Sequence, residues 1–260
     1  MKIQLLPSTF DSDGCTAAEQ RLTCYVIDDR VAIDAGSLAF AITDAQRHTV
    51  RDILVTHPHM DHIASLPIYV DDLFGLLKEP IRIHATAEVI ELLERDVFNW
   101  TVYPRFAELE NEFGPVMQYV PFREGEPFQI AHLTVTAVQV NHIVPTVGLV
   151  VSDGEKTLAF SSDTYETAEI WDLVNQTPQI DALLIEASFP NDMGQLAEVS
   201  RHFTPETMAR ELKKLDPKHQ PDILVVHIKP TYRQAVVDEL LALKMPKLRV
   251  MEPGVIYEWR

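Results

Sequence analysis

The sequence predicts an α/β fold in one domain that spans residues 1–260. Apolar runs of strand length are interleaved along the chain with segments of helical pattern, an order typical of α/β proteins. The chain has 260 residues, of which 46% are hydrophobic, so it can bury a substantial core. We find no linker, low-complexity tract or long internal repeat that would divide it.

The strands are predicted from runs of β-branched and aliphatic residues, and the segment Met1–Pro7 is the first of them. Four later runs share a second property, because each is followed directly by a side chain that can bind metal. They are Asp52–Thr56 before His57, Leu133–Val140 before His142, Lys156–Phe160 before Asp163, and Asp222–Val226 before His227. Side chains at strand ends sit on rigid supports and open into the loops. Four such coincidences predict one shared site.

The segment Thr56-His57-Pro58-His59-Met60-Asp61-His62 carries the strongest chemical signal. It places three imidazoles and a carboxylate within a few residues, which no packing requirement explains. Neutral imidazole suits Zn²⁺, Mn²⁺ or Fe, and a carboxylate adds a hard oxygen ligand. We expect His57 and His59 to face one ion, and Asp61 and His62 to be aimed at a second.

The charge and composition of the chain limit the classes of partner and the location that we expect for it. The formal net charge of −17 weighs against a nucleic-acid polymer, whose binding depends on basic surface. A small phosphodiester is compatible with it, because bound ions supply local positive charge. Two cysteines indicate no disulfide framework, and Cys24 is expected in the core. No apolar run is long enough to span a membrane, so a cytoplasmic location is expected by default.

At this point the chain resembles the metallo-β-lactamase superfamily. That resemblance implies an αββα sandwich of four layers with a binuclear metal site at one edge. Carried over motif by motif, it implies that His57, His59 and His142 hold one ion, that Asp61, His62 and His227 hold the other, and that Asp163 bridges both. No Cys stands among these ligands, which argues against the lactamase branch.

Further motifs resemble those of class II cyclic-nucleotide phosphodiesterases. Val225–Pro230 is similar to their V-T-H-I-K-P segment, Ile185–Asn191 to E-x-S-[FY]-P, and His202–Pro205 to H-L-T-P, with Arg201 where Gly is usual. Phe98–Phe106 is similar to F-N-x-x-x-W-P-D-F, with Tyr103 for Trp and Arg105 for Asp. These departures leave open which base or ester the pocket prefers. The aromatic side chains of this stretch could stack a base, or pack in the core or in a homodimer.

Four residues beside the predicted ligands have candidate roles in proton transfer, positioning or substrate contact. His202 stands before a helix start in which Thr204 is the N-cap and Pro205 the first residue, and a loop His near metal can deliver a proton. Asp34 either orients a metal-bound His or forms a turn, and Glu186 either orients a ligand or caps a loop. Asn99 is a candidate substrate contact. Of the remaining histidines, His48 and His219 are expected to be exposed and His84 to be structural.

The sequence therefore predicts a binuclear metal-dependent phosphodiesterase that hydrolyses 3′,5′-cyclic nucleotides to 5′-nucleotides. Two divalent ions, Zn²⁺ with Mn²⁺ or Fe as alternatives, would share a bridging hydroxide as nucleophile. Asp61 would hold the proton of that hydroxide, and His202 would act as general acid. Three alternatives stay open: a tRNA 3′-processing nuclease, a lactonase or thioesterase, and a ligand-binding protein with a degraded site.

Overall fold

The computed structural model describes all 260 residues. Two seven-stranded sheets and one two-stranded ribbon account for its sixteen strands. The strands are β1 (Lys2–Leu5), β2 (Tyr25–Ile27), β3 (Val31–Ile33), β4 (Asp52–Leu54), β5 (Ile81–Ala85), β6 (Glu110–Asn111), β7 (Gly114–Pro115), β8 (Met117–Pro121), β9 (Phe128–Ile130), β10 (Leu133–Gln139), β11 (Val147–Ser152), β12 (Thr157–Phe160), β13 (Ala182–Glu186), β14 (Asp222–Val226), β15 (Leu248–Val250) and β16 (Ile256–Glu258).

Nine α-helices lie between the strands, and none is both long and apolar enough to cross a membrane. They are α1 (Leu38–Ala41), α2 (Asp44–Thr49), α3 (Met60–Ile63), α4 (Leu66–Leu73), α5 (Ala87–Asp96), α6 (Glu169–Gln176), α7 (Gly194–Ser200), α8 (Pro205–Glu211) and α9 (Arg233–Ala242). The predicted start of α8 is confirmed, because the Thr204 hydroxyl accepts from the backbone N–H of Thr207 and the Thr207 hydroxyl accepts from that of Thr204.

The two large sheets share one plan. The first has the order β16-β1-β2-β3-β4-β5-β8 and the second β15-β14-β13-β12-β11-β10-β9. In each sheet one half is antiparallel and the other half, β3-β4-β5-β8 or β12-β13-β14-β15, is parallel. The carboxyl ends of neighbouring parallel strands meet at one edge, so the loops after β4, β12 and β14 can converge.

Three apolar clusters define four layers. One cluster lies between the sheets and contains residues of both, such as Leu54 and Leu184. A second lies outside the first sheet, where Leu66 and Tyr69 of α4 pack. The third lies outside the second sheet, where Trp171 of α6 and Met208 of α8 pack. The αββα sandwich expected from the sequence is therefore confirmed.

Gly36 fixes the segment that carries Asp61 and His62 against the first sheet. A Cβ at this position would lie 2.1 Å from the carbonyl oxygen of Asp61 and 2.7 Å from the backbone nitrogen of Thr23. That close approach allows the N–H of Thr23 to donate to the Asp61 carbonyl at 2.7 Å. Only glycine leaves room for this contact.

Candidate metal centre

The seven predicted ligands meet at the carboxyl-end edge of the parallel strands. His57 and His59 follow β4, and His59 is the N-cap residue of α3. Asp61 and His62 lie inside α3, just past the end of β4. The other three, His142, Asp163 and His227, follow β10, β12 and β14.

The ligand atoms form two groups that match the predicted division. Those of His57, His59, His142 and Asp163 all lie within 4.8 Å of one another, and so do those of Asp61, His62 and His227. Asp163 lies between the groups, since its Oδ2 is 3.7 Å from Nε2 of His57 and 3.3 Å from Nε2 of both His62 and His227. The arrangement could hold two ions with this carboxylate shared.

Hydrogen bonds fix which nitrogen four of the five imidazoles, those of His57, His62, His142 and His227, present to the centre. The hydroxyl of Thr56 donates to Asp34, at 2.9 Å from Oδ2, and lies 3.0 Å from Nδ1 of His57. Nδ1 of His57 is therefore the donor to Thr56, and its Nε2 keeps a free lone pair. That Nε2 is buried and has no hydrogen-bond partner. A buried imidazole nitrogen left this way fits a metal ligand and costs stability otherwise.

Three other imidazoles are held in the same manner. Nδ1 of His62 donates to Oδ2 of Asp34 at 2.7 Å, and Nδ1 of His142 donates to the carbonyl oxygen of Arg201 at 3.0 Å. Nδ1 of His227 lies 2.9 Å from Oγ of Ser188, whose own proton goes to Oε2 of Glu186, also at 2.9 Å. Each ring thus turns the lone pair of Nε2 toward the centre.

The pKa values of three imidazoles and of Asp163 fit metal ligands, but that of His62 does not: burial lowers the pKa of His62, yet the charges and hydrogen bonds of Asp163 and Asp34 outweigh burial and raise it well above its usual range. Burial lowers the pKa of His57 well below its usual range, burial also lowers that of His59, and burial lowers that of His142 to about 4. For Asp163, burial opposes ionisation, but the neighbouring His227 and His62 hold its pKa well below the usual range. Metal ions require neutral imidazoles and ionised carboxylates as ligands.

His202 lies beside the centre in a hydrogen-bond cluster built on Glu186. Nδ1 of His202 donates to Oε1 of Glu186 at 2.8 Å, and its ring stacks on that of His227 with centroids 5.4 Å apart. Burial opposes protonation of His202, but the charge and hydrogen bond of Glu186 outweigh it and raise the pKa of the imidazole. Asp163, His202 and His227 also form a ligand-like group. Nδ1 of His202 lies 4.0 Å from Asp163 and donates to Glu186, as the Nδ1 atoms of the proposed ligands donate to their own partners, so this contact by itself does not separate His202 from the ligand set.

The open alternatives for Asp34 and Glu186 have structural answers. Asp34 is 2% exposed and accepts from His62, so it orients that imidazole, and its backbone has a left-handed φ of 60°. Glu186 accepts from His202 and from the backbone N–H groups of Thr164 and Phe203. It therefore orients His202 and holds two loops.

The structure confirms several of the remaining sequence-based predictions, leaves one untested and contradicts one. The side chain of Asn99 bonds to the backbone of Arg95, Thr101 and Val102 in its own loop, so its substrate contact stays a prediction. His48 is exposed, Cys24 is buried and His84 donates to Asp52 at 2.8 Å, as expected. The expectation for His219 is wrong: it is only 5% exposed. In the aromatic stretch, Phe98 and Phe106 belong to the core, and Trp100 is 57% exposed.

Four contacts of the centre were not predicted. They are the hydroxyls of Thr56 and Ser188, the carbonyl of Arg201 and the ammonium of Lys229, whose Nζ lies 3.2 Å from Oδ2 of Asp61. Ser188, Arg201 and Lys229 lie in or beside the motifs that carried the resemblance, which was the available signal. Thr56 adjoins His57 and carried no signal of its own.

Comparison with known proteins identifies the family to which this chain belongs. Residues 29–228 match the family model described as Beta-lactamase superfamily domain. The chain belongs to the metallo-β-lactamase superfamily and is a hydrolase of that fold.

A known protein resembles this chain in sequence, and solved structures resemble it in fold. A Yersinia pestis protein named "Probable 3′,5′-cyclic-nucleotide phosphodiesterase" is 28% identical over 236 residues, which cover 78% of this chain and 67% of that protein. The crystal structure of unliganded yeast PDE1 superposes with a TM-score of 0.76 at 15% identity, covering 98% of this chain and 97% of that one. The metallo-beta-lactamase fold protein YhfI from Bacillus subtilis gives a TM-score of 0.75 at 16% identity and covers 99% of both chains. The two structures show the fold alone.

Proposed function

We propose that the protein is a binuclear metal-dependent phosphodiesterase whose substrates are 3′,5′-cyclic nucleotides, hydrolysed to 5′-nucleotides. The observation that carries this proposal is the pair of ligand groups with Asp163 lying between them, and with His202 held beside them by Glu186. The Yersinia pestis relative supports the substrate class by its name. The net charge of −17 supports a small diester over a nucleic-acid polymer.

In this proposal His57, His59 and His142 hold one ion, and Asp61, His62 and His227 hold the other, with Asp163 bridging. Zn²⁺ is the proposed ion, and Mn²⁺ or Fe suits the same ligands. Bound there, such ions supply Lewis acidity toward phosphoryl oxygens and lower the pKa of coordinated water to roughly 7. Buried, hydrogen-bonded imidazoles keep the ligand geometry fixed through the reaction.

Proton movement falls to the protein's own side chains. Asp61 is 28% exposed at the side chain, so its carboxylate is open to solvent and can hold the attacking water by accepting a hydrogen bond from it. With Nδ1 bound to Glu186, His202 has Nε2 as the atom that donates a proton to the leaving O3′.

The function is tested by a hydrolysis panel on metal-loaded protein. The panel contains cyclic AMP, cyclic GMP, bis(p-nitrophenyl) phosphate, a lactone and a precursor tRNA. We expect turnover of a cyclic nucleotide and of the aryl diester, with a 5′-nucleotide as product. Turnover of only the lactone, or of only the tRNA, would overturn the proposal, and so would a lack of any turnover at full metal content.

The proposed acid is tested by His202→Ala. We expect turnover of the cyclic nucleotide to fall by about 10²–10⁴-fold with metal content unchanged. The loss should be much smaller for bis(p-nitrophenyl) phosphate, because nitrophenolate leaves without protonation. Equal losses for both substrates would assign His202 to positioning, and loss of metal would make it a ligand.

A further inference from the structure

Lys229 is a cationic residue whose side-chain nitrogen contacts a proposed metal ligand. It lies two residues after His227, and its Nζ is 3.2 Å from Oδ2 of Asp61. The same oxygen is 3.2 Å from Nε2 of His227. A cation therefore stands at the edge of the second ligand group.

The pair of Lys229 and Asp61 faces the mouth of the site. Their side chains are 33% and 28% exposed, whereas those of Asp163 and His57 are 3% and 0% exposed. An ion pair exposed to this degree contributes little to folding stability, so stability gives no strong reason for placing a lysine here.

The ammonium group has unused hydrogen-bonding capacity. Its one hydrogen bond goes to Asp61, and a lysine Nζ has three donors. Asp61 is itself a proposed metal ligand, and an ion bound there would compete with Lys229 for the carboxylate. The other two donors are free to bind an anionic group that arrives from solvent.

The neighbours of Lys229 indicate what that group is. Its backbone N–H donates to the carbonyl of Ser188 at 3.2 Å, so the residue is anchored to the segment that positions His227 and His202. The rings of those two histidines stack 5.4 Å apart. Asp61 and His202 are thus both linked to Lys229, the first by direct contact and the second through Ser188, at the centre where a phosphodiester would bind.

We propose that Lys229 binds a nonbridging phosphoryl oxygen of the substrate through Nζ and so positions the diester. This inference rests on the proposed phosphodiesterase function. The lysine keeps its proton throughout and neither attacks nor protonates the leaving group. A charge-assisted bond to phosphate would raise affinity and hold phosphorus in line with the water.

Lys229→Met tests the proposal, with Lys156→Met as the matched control. Lys156 is 23% exposed and lies 3.6 Å from Asp181, and it stands at the amino end of β12, away from the centre. We expect Lys229→Met to raise KM for bis(p-nitrophenyl) phosphate and for a cyclic nucleotide by about 10- to 100-fold, alike for both leaving groups. Metal content should stay at the wild-type level, Lys229→Arg should recover part of the loss, and Lys156→Met should behave as wild type.

Calorimetric binding of inorganic phosphate to the metal-loaded proteins gives a readout without turnover. We expect the Kd of phosphate to rise in Lys229→Met by a factor similar to that of KM. Unchanged KM and phosphate affinity would overturn the inference, as would a loss confined to the poor leaving group, which would make Lys229 an acid. Loss of metal would assign the lysine to holding Asp61 instead. If wild-type protein binds phosphate through Lys229 but cleaves no phosphodiester, the proposed function fails and the binding role stands.

Discussion

Asp34→Asn should weaken metal binding although Asp34 is no ligand. Oδ1 of Asp34 accepts from the backbone N–H of Thr56 at 2.8 Å, and Oδ2 accepts from Nδ1 of His62 at 2.7 Å. An asparagine of the same shape has one oxygen and one NH₂ group. Whichever way the amide turns, a donor faces a donor.

The magnitude follows from those contacts. If the NH₂ group faces His62, the imidazole must lose its bond or move its proton to Nε2, the atom that should bind metal. Loss of such an orienting contact typically lowers metal affinity by about 10–100-fold, which is about 1.4–2.8 kcal/mol. If the NH₂ group faces Thr56, a buried N–H is stranded at a cost of about 1–3 kcal/mol. We expect weaker metal binding or a less stable fold, and no outcome near wild type in both.

The assay is metal titration against a competing chelator, with thermal unfolding of the metal-free protein alongside. Asp28→Asn is the matched control. Asp28 also has a left-handed φ, of 48°, and it accepts from Nε2 of His132 at 2.8 Å and from the backbone N–H of Lys2, far from the ligands. Wild-type metal affinity together with wild-type stability in Asp34→Asn would refute the proposed orientation of His62.

Two further predictions concern stability. Arg201 ends α7 in the left-handed conformation, with φ 58° and ψ 52°. Arg201→Gly should therefore relieve about 1 kcal/mol of backbone strain and raise Tm by about 2–4 °C, while the carbonyl of residue 201 still accepts from His142. An unchanged or lower Tm would contradict this prediction. For Asp52, burial raises the pKa, but bonds from Arg82 and His84 outweigh it and hold the pKa well below the usual range. Because the folded pKa is depressed, this stability is present above about pH 4 and is lost as pH falls toward the folded pKa. Asp52→Asn should therefore destabilise the fold at pH 7 by about 1–3 kcal/mol and flatten its loss below pH 4, and equal acid sensitivity in both proteins would contradict this.

The seven candidate ligands come together in the structure for a physical reason. Each ligand follows a strand, and strand ends in one parallel half-sheet meet at one edge whatever the details of packing. His57 and Asp163 lie far apart in sequence, yet their strands belong to the two sheets whose edges join at the site. Residue spacing separated His57 and His59 from Asp61 and His62, family resemblance supplied the rest of the division into two groups, and the side-chain distances are compatible with it.

The contacts that orient the imidazoles could not be predicted in this way. Ser188 meets His227, and the carbonyl of Arg201 meets His142, only after separate loops pack together. The wrong expectation for His219 has the same origin. Its chain neighbours Lys218 and Gln220 are exposed, but His219 shares a cleft with Leu212, Leu215 and Met245 of other segments. Local polarity does not report such tertiary neighbours.

Counting the bound metal ions is the most direct test of whether the centre is binuclear. We predict two divalent ions per chain in reconstituted protein, measured by elemental analysis, because there are two ligand groups and Asp163 of the first lies 3.3 Å from His62 and His227 of the second. We also predict that Asp163→Ala lowers the occupancy of both positions and abolishes turnover. A maximum of one ion per wild-type chain, or a fully loaded and active Asp163→Ala protein, would contradict the shared binuclear centre.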